Sequence, residues 1–288
     1  MPAIVPGSTP VPPLPHFDLE RVRALLADRF RIEEILGAGA SGAVLRARTL
    51  APWRDVAAGV DVALKVLRPE RAADEHARST LVREAELGQR VSDPHVVRIF
   101  GLDEASDAEG TLTFLVSELV RGRSLRDRIE RSGAIVGDLA RRIAEQAALG
   151  LAALHDAGIV HRDVKPENLL ITDDRAEERL ADLGLVRLAP RSDDHAIGES
   201  GSGGPRASSS GGFFGSLAYA APEVLRGEPP SPASDLYALG IVLFELLTAR
   251  HPFANARDAD DLLWMQLEHE PPRASHLEPR TSVFLETM

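Results

Sequence analysis

The segment HRDVKPENLL at positions 161–170 carries the most specific arrangement of reactive residue types in the chain. Asp163 and Asn168 lie five residues apart in a predicted loop, with Lys165 between them. A carboxylate at 163 can orient a hydroxyl group or accept its proton, and an amide oxygen at 168 can ligate Mg²⁺ without adding charge. An ammonium group at 165 can offset the charge of a phosphoryl group during transfer. The segment therefore indicates phosphate chemistry.

A second carboxylate follows in ADLGL at 181–185, where Asp182 comes after a short apolar strand and before a turn glycine. A carboxylate in that place can bridge Mg²⁺ to phosphate oxygens. Asp-x-Gly is by itself a common turn sequence. Its position after Asn168 in the chain favours a second metal ligand.

A glycine-rich segment, LGAGASGAV at 36–44, contains Gly37, Gly39 and Gly42. Glycines allow the backbone to approach phosphate oxygens closely and to point amides at them. A dinucleotide-binding turn of the Rossmann type is the alternative, but it needs a helix that opens at the third glycine. The residues after Gly42 continue instead as a strand, which favours a strand–turn–strand hairpin. No GKS or GKT sequence is present, which excludes a P-loop.

The segment VALK at 62–65 places Lys65 on a predicted strand, with Ala63 on the same face. Only two of the 33 basic residues are lysines, Lys65 and Lys165, and both lie in motifs suited to phosphate. A bias toward arginine should stop where a compact ammonium group is required. Glu84 on the following helix is the preferred partner of Lys65, and Glu86 is the alternative.

Composition limits the classes of function that remain. The chain of 288 residues has a net charge of -11, which argues against a nucleic-acid partner, and no cysteine, which excludes disulfides and thiolate metal sites. The nine histidines show no metal-binding spacing. No signal peptide and no apolar stretch of membrane-spanning length is recognised, so a cytoplasmic protein without a membrane segment is expected.

The pattern of apolar residues predicts a β-rich first part and a mainly helical second part. Strands are predicted at 31–36, 43–47, 61–67, 96–102 and 112–119, with helices at 18–28 and 70–91. Helices at 125–131, 139–157 and 234–248 follow, with Gly158 ending the second of these. Asp18 is predicted to cap the first helix, and Asp235 to hold backbone amides. Residues 189–212 are predicted to form a mobile loop.

In this order, the motifs resemble those of the eukaryotic-like serine/threonine protein kinases, close to their bacterial branch, over roughly residues 30–272. The resemblance implies an α+β bilobal fold with an antiparallel β-rich N-lobe, a mainly helical C-lobe and ATP in the cleft between them. Residues 1–17 would be a disordered proline-rich tail and 18–29 a flanking helix. The kinase domain would cover 30–288, with the N-lobe at 30–120 and the C-lobe at 121–288.

The resemblance also implies roles for individual residues. Lys65, held by Glu84, would contact the α- and β-phosphates, and Asp163 would be the catalytic base. Lys165 would contact phosphate, and Asn168 and Asp182 would ligate Mg²⁺, with Mn²⁺ as an alternative ion. Ser117 would be a small gatekeeper beside the base. The nucleotide site would further comprise Glu118 and Val120 in the hinge, and over the phosphates Leu36, Gly37, Ala38, Gly39, Ala40, Ser41, Gly42, Ala43 and Val44. Val44, Ala63 and Leu170 would sandwich the adenine ring.

The expected activity is in-line transfer of the γ-phosphoryl group of ATP to serine or threonine hydroxyls of proteins, with autophosphorylation. The sequence Lys165-Pro166-Glu167 favours this specificity over tyrosine. Arg162 suggests control by phosphorylation of the long loop at 183–221, whose candidate acceptors are Ser192, Ser200, Ser202, Ser208, Ser209 and Ser210. A catalytically impaired pseudokinase or scaffold is the alternative. A small-molecule kinase is disfavoured by GSLAYAAPE at 215–223, which shapes a platform for protein substrates in the family.

Four positions depart from the family pattern. Leu183 replaces the usual Phe after the metal-binding Asp, and Ser216 replaces the usual Thr before the Ala-Pro-Glu segment. Gly88 supplies no side chain where the family packs its N-lobe helix. After His251-Pro252-Phe253 the C-lobe is expected to be incomplete, without its last helices and without the Arg that pairs with Glu223 in the family. Arg280 is available for that pairing, but its surroundings do not match.

Overall fold

The computed structural model of the chain describes residues 17–38, 42–68, 74–172, 178–180, 187–188 and 217–281. These residues divide into two compact units. The first contains the chain up to Arg90 together with Arg98–Leu119, and the second contains Val91–Val97 and the chain from Val120 onward. Within the described ranges, no helix is both long enough and apolar enough to cross a bilayer.

The first unit is built on a five-stranded antiparallel sheet with the order β1-β2-β3-β5-β4. Its strands are β1 (Phe30–Ala38), β2 (Gly42–Thr49), β3 (Asp61–Leu67), β4 (Ile99–Asp107) and β5 (Gly110–Glu118). Helix α1 (Leu19–Leu26) precedes the sheet, and helix α2 (Glu75–Gly88) lies between β3 and β4 in the chain. The predicted antiparallel sheet is confirmed, and the range of β3 matches the prediction.

The two faces of this sheet bury different sets of residues, because side chains alternate along each strand. On one face, Val62, Leu64 and Val66 of β3 pack in a core with Val22 and Leu26 of α1. The opposite face carries a smaller cluster that packs against α2, with these buried members: Leu67, Leu81, Ala85, Ile99 and Leu115. Since Lys65 lies between Leu64 and Val66 in β3, its side chain belongs to the opposite face, which α2 covers.

Helix α1 is attached to the first unit by its apolar stripe and by an ion pair. Asp18 caps the helix by accepting a hydrogen bond from the Arg21 amide at 2.9 Å, as predicted. The Arg21 guanidinium donates to both Asp107 oxygens, at 2.7 and 2.9 Å, and lowers the pKa of Asp107 to about 2. The helix expected to flank the domain is thus part of the core of the first unit.

Two predicted elements differ from the observed ones by more than two residues at an end. The strand predicted at 96–102 is wrong at both ends, since β4 covers Ile99–Asp107. Residues 93–96 form a turn in which the Val96 amide donates to the Asp93 carbonyl at 3.1 Å. The polar end of β4 pairs with β5 through backbone hydrogen bonds that apolar patterning does not reveal. Helix α2 begins at Glu75, capped by the Asp74 side chain, and ends at Gly88, whereas residues 70–73 of the predicted helix lie outside the described ranges.

The second unit is mainly helical, with two small sheets. Its long helices are α4 (Asp138–Asp156) and α6 (Pro232–Thr248), accompanied by α3 (Leu125–Ser132), α5 (Pro222–Leu225), α7 (Ala259–Glu268) and α8 (Ala274–Leu277). Strands β6 (Gly122–Ser124), β8 (Leu169–Thr172) and β9 (Glu178–Leu180) form one sheet, and β7 (Ile159–Val160) pairs with β10 (Arg187–Leu188). The predicted helical second part is confirmed.

Local sequence signals account for the ends of the two long helices. Helix α4 stops before Gly158, which has a φ of +74° and whose amide donates to the His155 carbonyl at 2.9 Å, as predicted for a glycine that ends a helix. Helix α6 begins with a reciprocal cap between Ser231 and Ser234, and Pro232 occupies its first turn. Most of α6 is buried, which explains its nearly continuous apolar sequence.

The buried carboxylate of Asp235 holds the chain that leads into residues 163–168. It accepts hydrogen bonds from the backbone amides of His161 and Arg162, both at 2.8 Å, and contacts Nε2 of His155 at 2.9 Å. Arg162 has a φ of +71°, a conformation that costs a non-glycine residue of the order of 1–3 kcal/mol. The predicted role of Asp235 is confirmed, and its charged hydrogen bonds offset the strain at Arg162.

A second set of contacts holds residues 217–221, which precede α5. Nε2 of His251 lies 2.9 Å from the Ala218 carbonyl, and Nδ1 of the same ring accepts from the Phe253 amide at 3.2 Å. The Gln266 amide group also donates to the Ala218 carbonyl, at 2.7 Å. The neutral tautomer of His251 with hydrogen on Nε2 satisfies both bonds. Burial lowers the pKa of His251, which favours this neutral form.

Replacing Asp235 with Asn tests the anchor of residues 161 and 162. The Asn amide group offers one acceptor oxygen where the carboxylate offers two, and its NH₂ group would face a backbone N–H. We expect the free energy of unfolding, measured by urea denaturation, to fall by about 3 kcal/mol. The exposed Asp260→Asn control should change it by less than about 0.5 kcal/mol. Equal stabilities for the two variants would contradict the anchor role.

The stability of the chain should depend on pH through His251. An imidazole in the unfolded chain titrates near pH ~6.5, and the folded-state pKa of His251 lies lower. As the pH falls below about 6.5, the unfolded state binds the proton first, so folding stability is lost with a slope of up to about 1.4 kcal/mol per pH unit. In urea denaturation between pH 7 and 5, His251→Gln should flatten this slope, whereas the exposed His276→Gln control should retain it. A slope unchanged by His251→Gln would show that this ring does not contribute.

Candidate active site

The first unit positions a buried ion pair between Lys65 on β3 and Glu84 on α2. The Lys65 ammonium lies 3.1 and 3.0 Å from the two carboxylate oxygens of Glu84, which is only 3% exposed. Glu86, the alternative partner, is exposed on the same helix. Because an isolated buried carboxylate is costly, the pair fixes both side chains and sets α2 against β3.

The strand register places small side chains next to this lysine. Ala63 pairs with Ser117 of β5, and Val44 of β2 pairs with Lys65. Ala63 and Lys65 share a face of β3, as alternation predicts. Ala63 and Ser117 are therefore two small side chains opposite each other on this face, and Arg46 of β2 pairs with Ala63 from the other side.

The glycine-rich segment forms a strand–turn–strand hairpin rather than a turn into a helix. Ala38 of β1 pairs with Ala43 of β2, and Gly42 begins a strand, which contradicts the dinucleotide-binding alternative. Gly39, Ala40 and Ser41 at the tip lie outside the described residues. The predicted hairpin is confirmed on both of its sides.

Two glycines of this hairpin differ in whether the fold leaves room for a side chain at their position. A Cβ atom at Gly42 would collide with the backbone carbonyl of Val66 on β3, so only glycine allows these strands to approach each other. A Cβ atom at Gly37 would meet nothing within 4 Å, and its backbone conformation does not require glycine. Nothing in the described part of the chain therefore requires a glycine at 37.

The predicted hinge residues lie at the end of β5 and just after it. The Glu118 amide donates to the Arg98 carbonyl at 2.8 Å, and its carboxylate accepts from the Arg98 amide at 3.4 Å. Both contacts lie within the first unit, whereas Val120 begins the adjoining part of the second unit. Leu170, the predicted neighbour of adenine in the second unit, lies in β8 and is partly exposed.

In the second unit, the loop at 163–168 brings three predicted residues together. The Lys165 ammonium lies 2.7 Å from Oδ2 of Asp163. The Asn168 amide nitrogen donates to the same oxygen at 3.0 Å and to the Asp163 backbone carbonyl at 2.8 Å. A short 3₁₀ turn at Pro166–Asn168 lets Asn168 reach back to Asp163. The sequence identified all three, and the structure makes them one cluster.

The donor set of this cluster suits a hard divalent cation. Because the Nδ2 atom of Asn168 makes both hydrogen bonds to Asp163, the Oδ1 atom is the one that can ligate a cation. Asp182, the second predicted ligand, lies outside the described residues, as do the candidate serine acceptors at 192–210. In the part of the chain that the structure describes, no three His, Cys, Asp or Glu side chains form a metal-binding group. The Oδ1 atom of Asn168 therefore suits such a cation, and the contribution of Asp182 stays a prediction.

A cluster of charged side chains behind this loop was missed by the sequence analysis. Arg126 of α3 donates to Glu167 at 2.8 Å, to Glu245 of α6 at 2.5 Å and to the Tyr219 hydroxyl at 2.6 Å. The Tyr219 hydroxyl in turn donates to Glu245 at 2.6 Å. Glu245 is a carboxylate within the apolar sequence of α6, and nothing in the sequence indicated its partners.

Burial and mutual charge shift the titration of this cluster. Burial and the negative charge of Glu245 raise the pKa of the Tyr219 hydroxyl, so the phenol stays protonated and donates its hydrogen to Glu245. Burial opposes the charge of Arg126, but hydrogen bonds to Glu245 and Glu167 outweigh it and raise the pKa of the guanidinium. Arg126 is therefore a permanent cation between two carboxylates.

Arg280, the residue considered as a partner for Glu223, pairs elsewhere. Its guanidinium contacts both oxygens of Glu278, at 2.8 and 2.9 Å, in an exposed pair two residues away. This contact accounts for the mismatch in its surroundings that the sequence already indicated. Pro222 and Glu223 form the start of the short helix α5.

The sequence of the chain is similar to those of several known proteins. Those with curated descriptions include the serine/threonine-protein kinase PknA of Corynebacterium glutamicum, 34% identical over 81% of this chain and 46% of its own length. PkaA of Streptomyces coelicolor is 35% identical over 87% of this chain and 44% of its own. PknL of Mycobacterium tuberculosis is 34% identical over 88% of this chain and 57% of its own length. The chain thus spans about half the length of these relatives.

The match to a sequence family covers most of the chain. The family described as "Protein kinase domain" matches residues 30–288, which include the ion pair of the first unit and the Asp163 cluster of the second. The range begins at the first residue of β1 and leaves α1 outside it. On this match and on the curated relatives, the chain belongs to the protein kinase family.

Proposed function

We propose that the chain is an ATP-dependent protein serine/threonine kinase that transfers the γ-phosphoryl group directly to a protein hydroxyl. The observation that carries the proposal is the cluster of Asp163, Lys165 and Asn168, whose side chains lie within hydrogen-bonding distance of one another around Oδ2 of Asp163. The Lys65–Glu84 pair in the first unit supports it. The curated relatives are named serine/threonine-protein kinases, which supports the class of acceptor.

Asp163 aligns the attacking hydroxyl and accepts its proton as the new phosphorus–oxygen bond forms, while the bond from the γ-phosphorus to the β,γ-bridging oxygen breaks and ADP leaves. Its Oδ2 atom is held by Lys165 and Asn168, which leaves Oδ1 to face the incoming hydroxyl. Lys165 screens charge on the transferred group, and Lys65 binds the α- and β-phosphates while Glu84 fixes its position. Most of the catalytic effect in such a site is positioning and electrostatic stabilisation.

Asn168 and Asp182 would hold Mg²⁺, or Mn²⁺ in its place. When bound, the ion supplies positive charge that neutralises the phosphate oxygens. The proposed nucleotide site also uses the hairpin of β1 and β2 over the phosphates, and Glu118, Val120, Ala63 and Leu170 around the base. The open space at Gly37 supports this assignment, because the fold does not need a glycine there.

The proposal divides the kinase domain into an N-lobe at 30–120 and a C-lobe at 121–288, preceded by the helix and tail at 1–29. Protein substrates bind beside residues 217–221, and serines of the loop at 183–221 serve as sites of autophosphorylation. A cytoplasmic site of action is part of the proposal, since the reaction consumes the ATP pool of the cell interior.

Substituting Lys65 or Asp163 tests the assigned roles. In an assay of autophosphorylation with labelled ATP and Mg²⁺, Lys65→Met and Asp163→Asn should each lower the rate by at least about 10²-fold, because each removes a charged group from the reaction site. Matched controls are Arg83→Met on the exposed face of α2 and Asp260→Asn, which should retain activity. Wild-type rates in either site variant would refute its role, and an inactive wild-type chain would favour a scaffold.

The two glycines of the hairpin should respond differently to substitution with alanine. Gly37→Ala should leave urea stability unchanged but raise the KM for ATP about fivefold, as expected if one backbone contact to phosphate, worth ~1 kcal/mol, is weakened. Gly42→Ala should lower stability by about 1–3 kcal/mol, because its Cβ atom must displace the β3 backbone. An unaltered KM in Gly37→Ala would argue against nucleotide binding at this hairpin.

A further inference from the structure

The guanidinium group of Arg126 connects three parts of the second unit that are far apart in the chain. Its Nε atom donates to Glu167, its Nη1 atom to Glu245, and its Nη2 atom to the Tyr219 hydroxyl. Glu167 immediately precedes Asn168 in the 3₁₀ turn, and Tyr219 lies in the segment that precedes α5. All three nitrogen atoms of the guanidinium therefore donate hydrogen bonds, each to a different residue.

Burial makes this connection stiff. The Glu245 side chain is 8% exposed, the Arg126 side chain 23%, and Tyr219 is 6% exposed. Glu245 comes from the middle of α6, the helix that also supplies Asp235, the anchor of His161 and Arg162. Displacing the guanidinium would leave the Glu245 carboxylate buried with the Tyr219 hydroxyl as its remaining partner in this cluster, which is costly.

We propose that Arg126 is a positioning residue that sets residues 217–221 in register with the loop at 163–168. The proposal rests on the proposed function, in which the loop carries the reacting groups and residues 217–221 support the protein substrate. Through Glu167, Arg126 fixes the turn that orients Asn168, and through Tyr219 it fixes the supporting segment. Arg126 contacts neither nucleotide nor acceptor in this proposal.

Kinetics on the full chain test the proposal with a serine-containing peptide as acceptor. Arg126→Met should lower kcat/KM for the peptide about tenfold, with a raised peptide KM and an unchanged KM for ATP. Arg131→Met is the matched control, since Arg131 is exposed on the same helix, and it should behave as the unmodified chain. A loss of folded protein alone would lower kcat and leave the peptide KM unchanged, and that outcome would overturn the proposal.

A double-mutant cycle with Tyr219→Phe identifies the route of the effect. If Arg126 acts through the Tyr219 hydroxyl, the variant with both changes should lose little more activity than Arg126→Met alone. If the two losses multiply, the residues act independently and the proposed link is wrong. Urea denaturation of each variant shows that the chain remains folded under the assay conditions.

Hydrogen exchange gives a readout that does not depend on catalysis. The Asn168 amide donates to the Lys165 carbonyl, and the Ala220 amide donates to the Leu217 carbonyl, so each reports on one connected segment. Arg126→Met should accelerate exchange at both sites several-fold, whereas Arg131→Met should not. Unchanged exchange would overturn the positioning role. If the unmodified chain shows no phosphotransfer but exchange responds as expected, the proposed function fails while the physical link remains.

Discussion

The structure depends on one constraint, which is that a charge taken out of water must be paired or hydrogen-bonded. Glu84, Asp235 and Glu245 are each less than one tenth exposed. Lys65 neutralises the first, two backbone amides and His155 surround the second, and Arg126 with Tyr219 holds the third. Because breaking such a set costs several kcal/mol, each buried carboxylate fixes the elements around it in one arrangement. Lys65 in the first unit and the loop at 163–168 in the second are each supported by arrangements of this kind.

The two lysines of the chain illustrate how side-chain chemistry limits substitution. All other basic positions are arginines, among them Arg126, whose planar guanidinium group contacts three partners. At 65 and 165 the ammonium group instead makes a compact contact to a carboxylate, at 3.0 and 2.7 Å. An ammonium can approach a phosphate oxygen as a point charge, whereas a guanidinium imposes its own planar geometry. The bias toward arginine thus singled out two lysines, and the structure places each of them beside a carboxylate.

Elements with a strong local signal were predicted well. Alternating apolar residues predicted the range of β3, Asp18 marked the start of α1, and Gly158 marked the end of α4. The limits of β4 were wrong, because its polar half is held by pairing with β5 and its expected start is a turn. Backbone pairing between strands leaves little trace in the side chains of an exposed strand.

The sequence by itself determined which groups are the candidates for the chemistry, since Asp163, Lys165 and Asn168 lie within six residues of one another and must share a loop. It also indicated the protein kinase family through the order of its motifs. Only the tertiary structure decided which distant partners hold those groups, such as Asp235 for residues 161 and 162 or Arg126 for Glu167 and Tyr219. Local spacing constrains neighbours in the chain, whereas a contact across about a hundred residues follows from how helices pack.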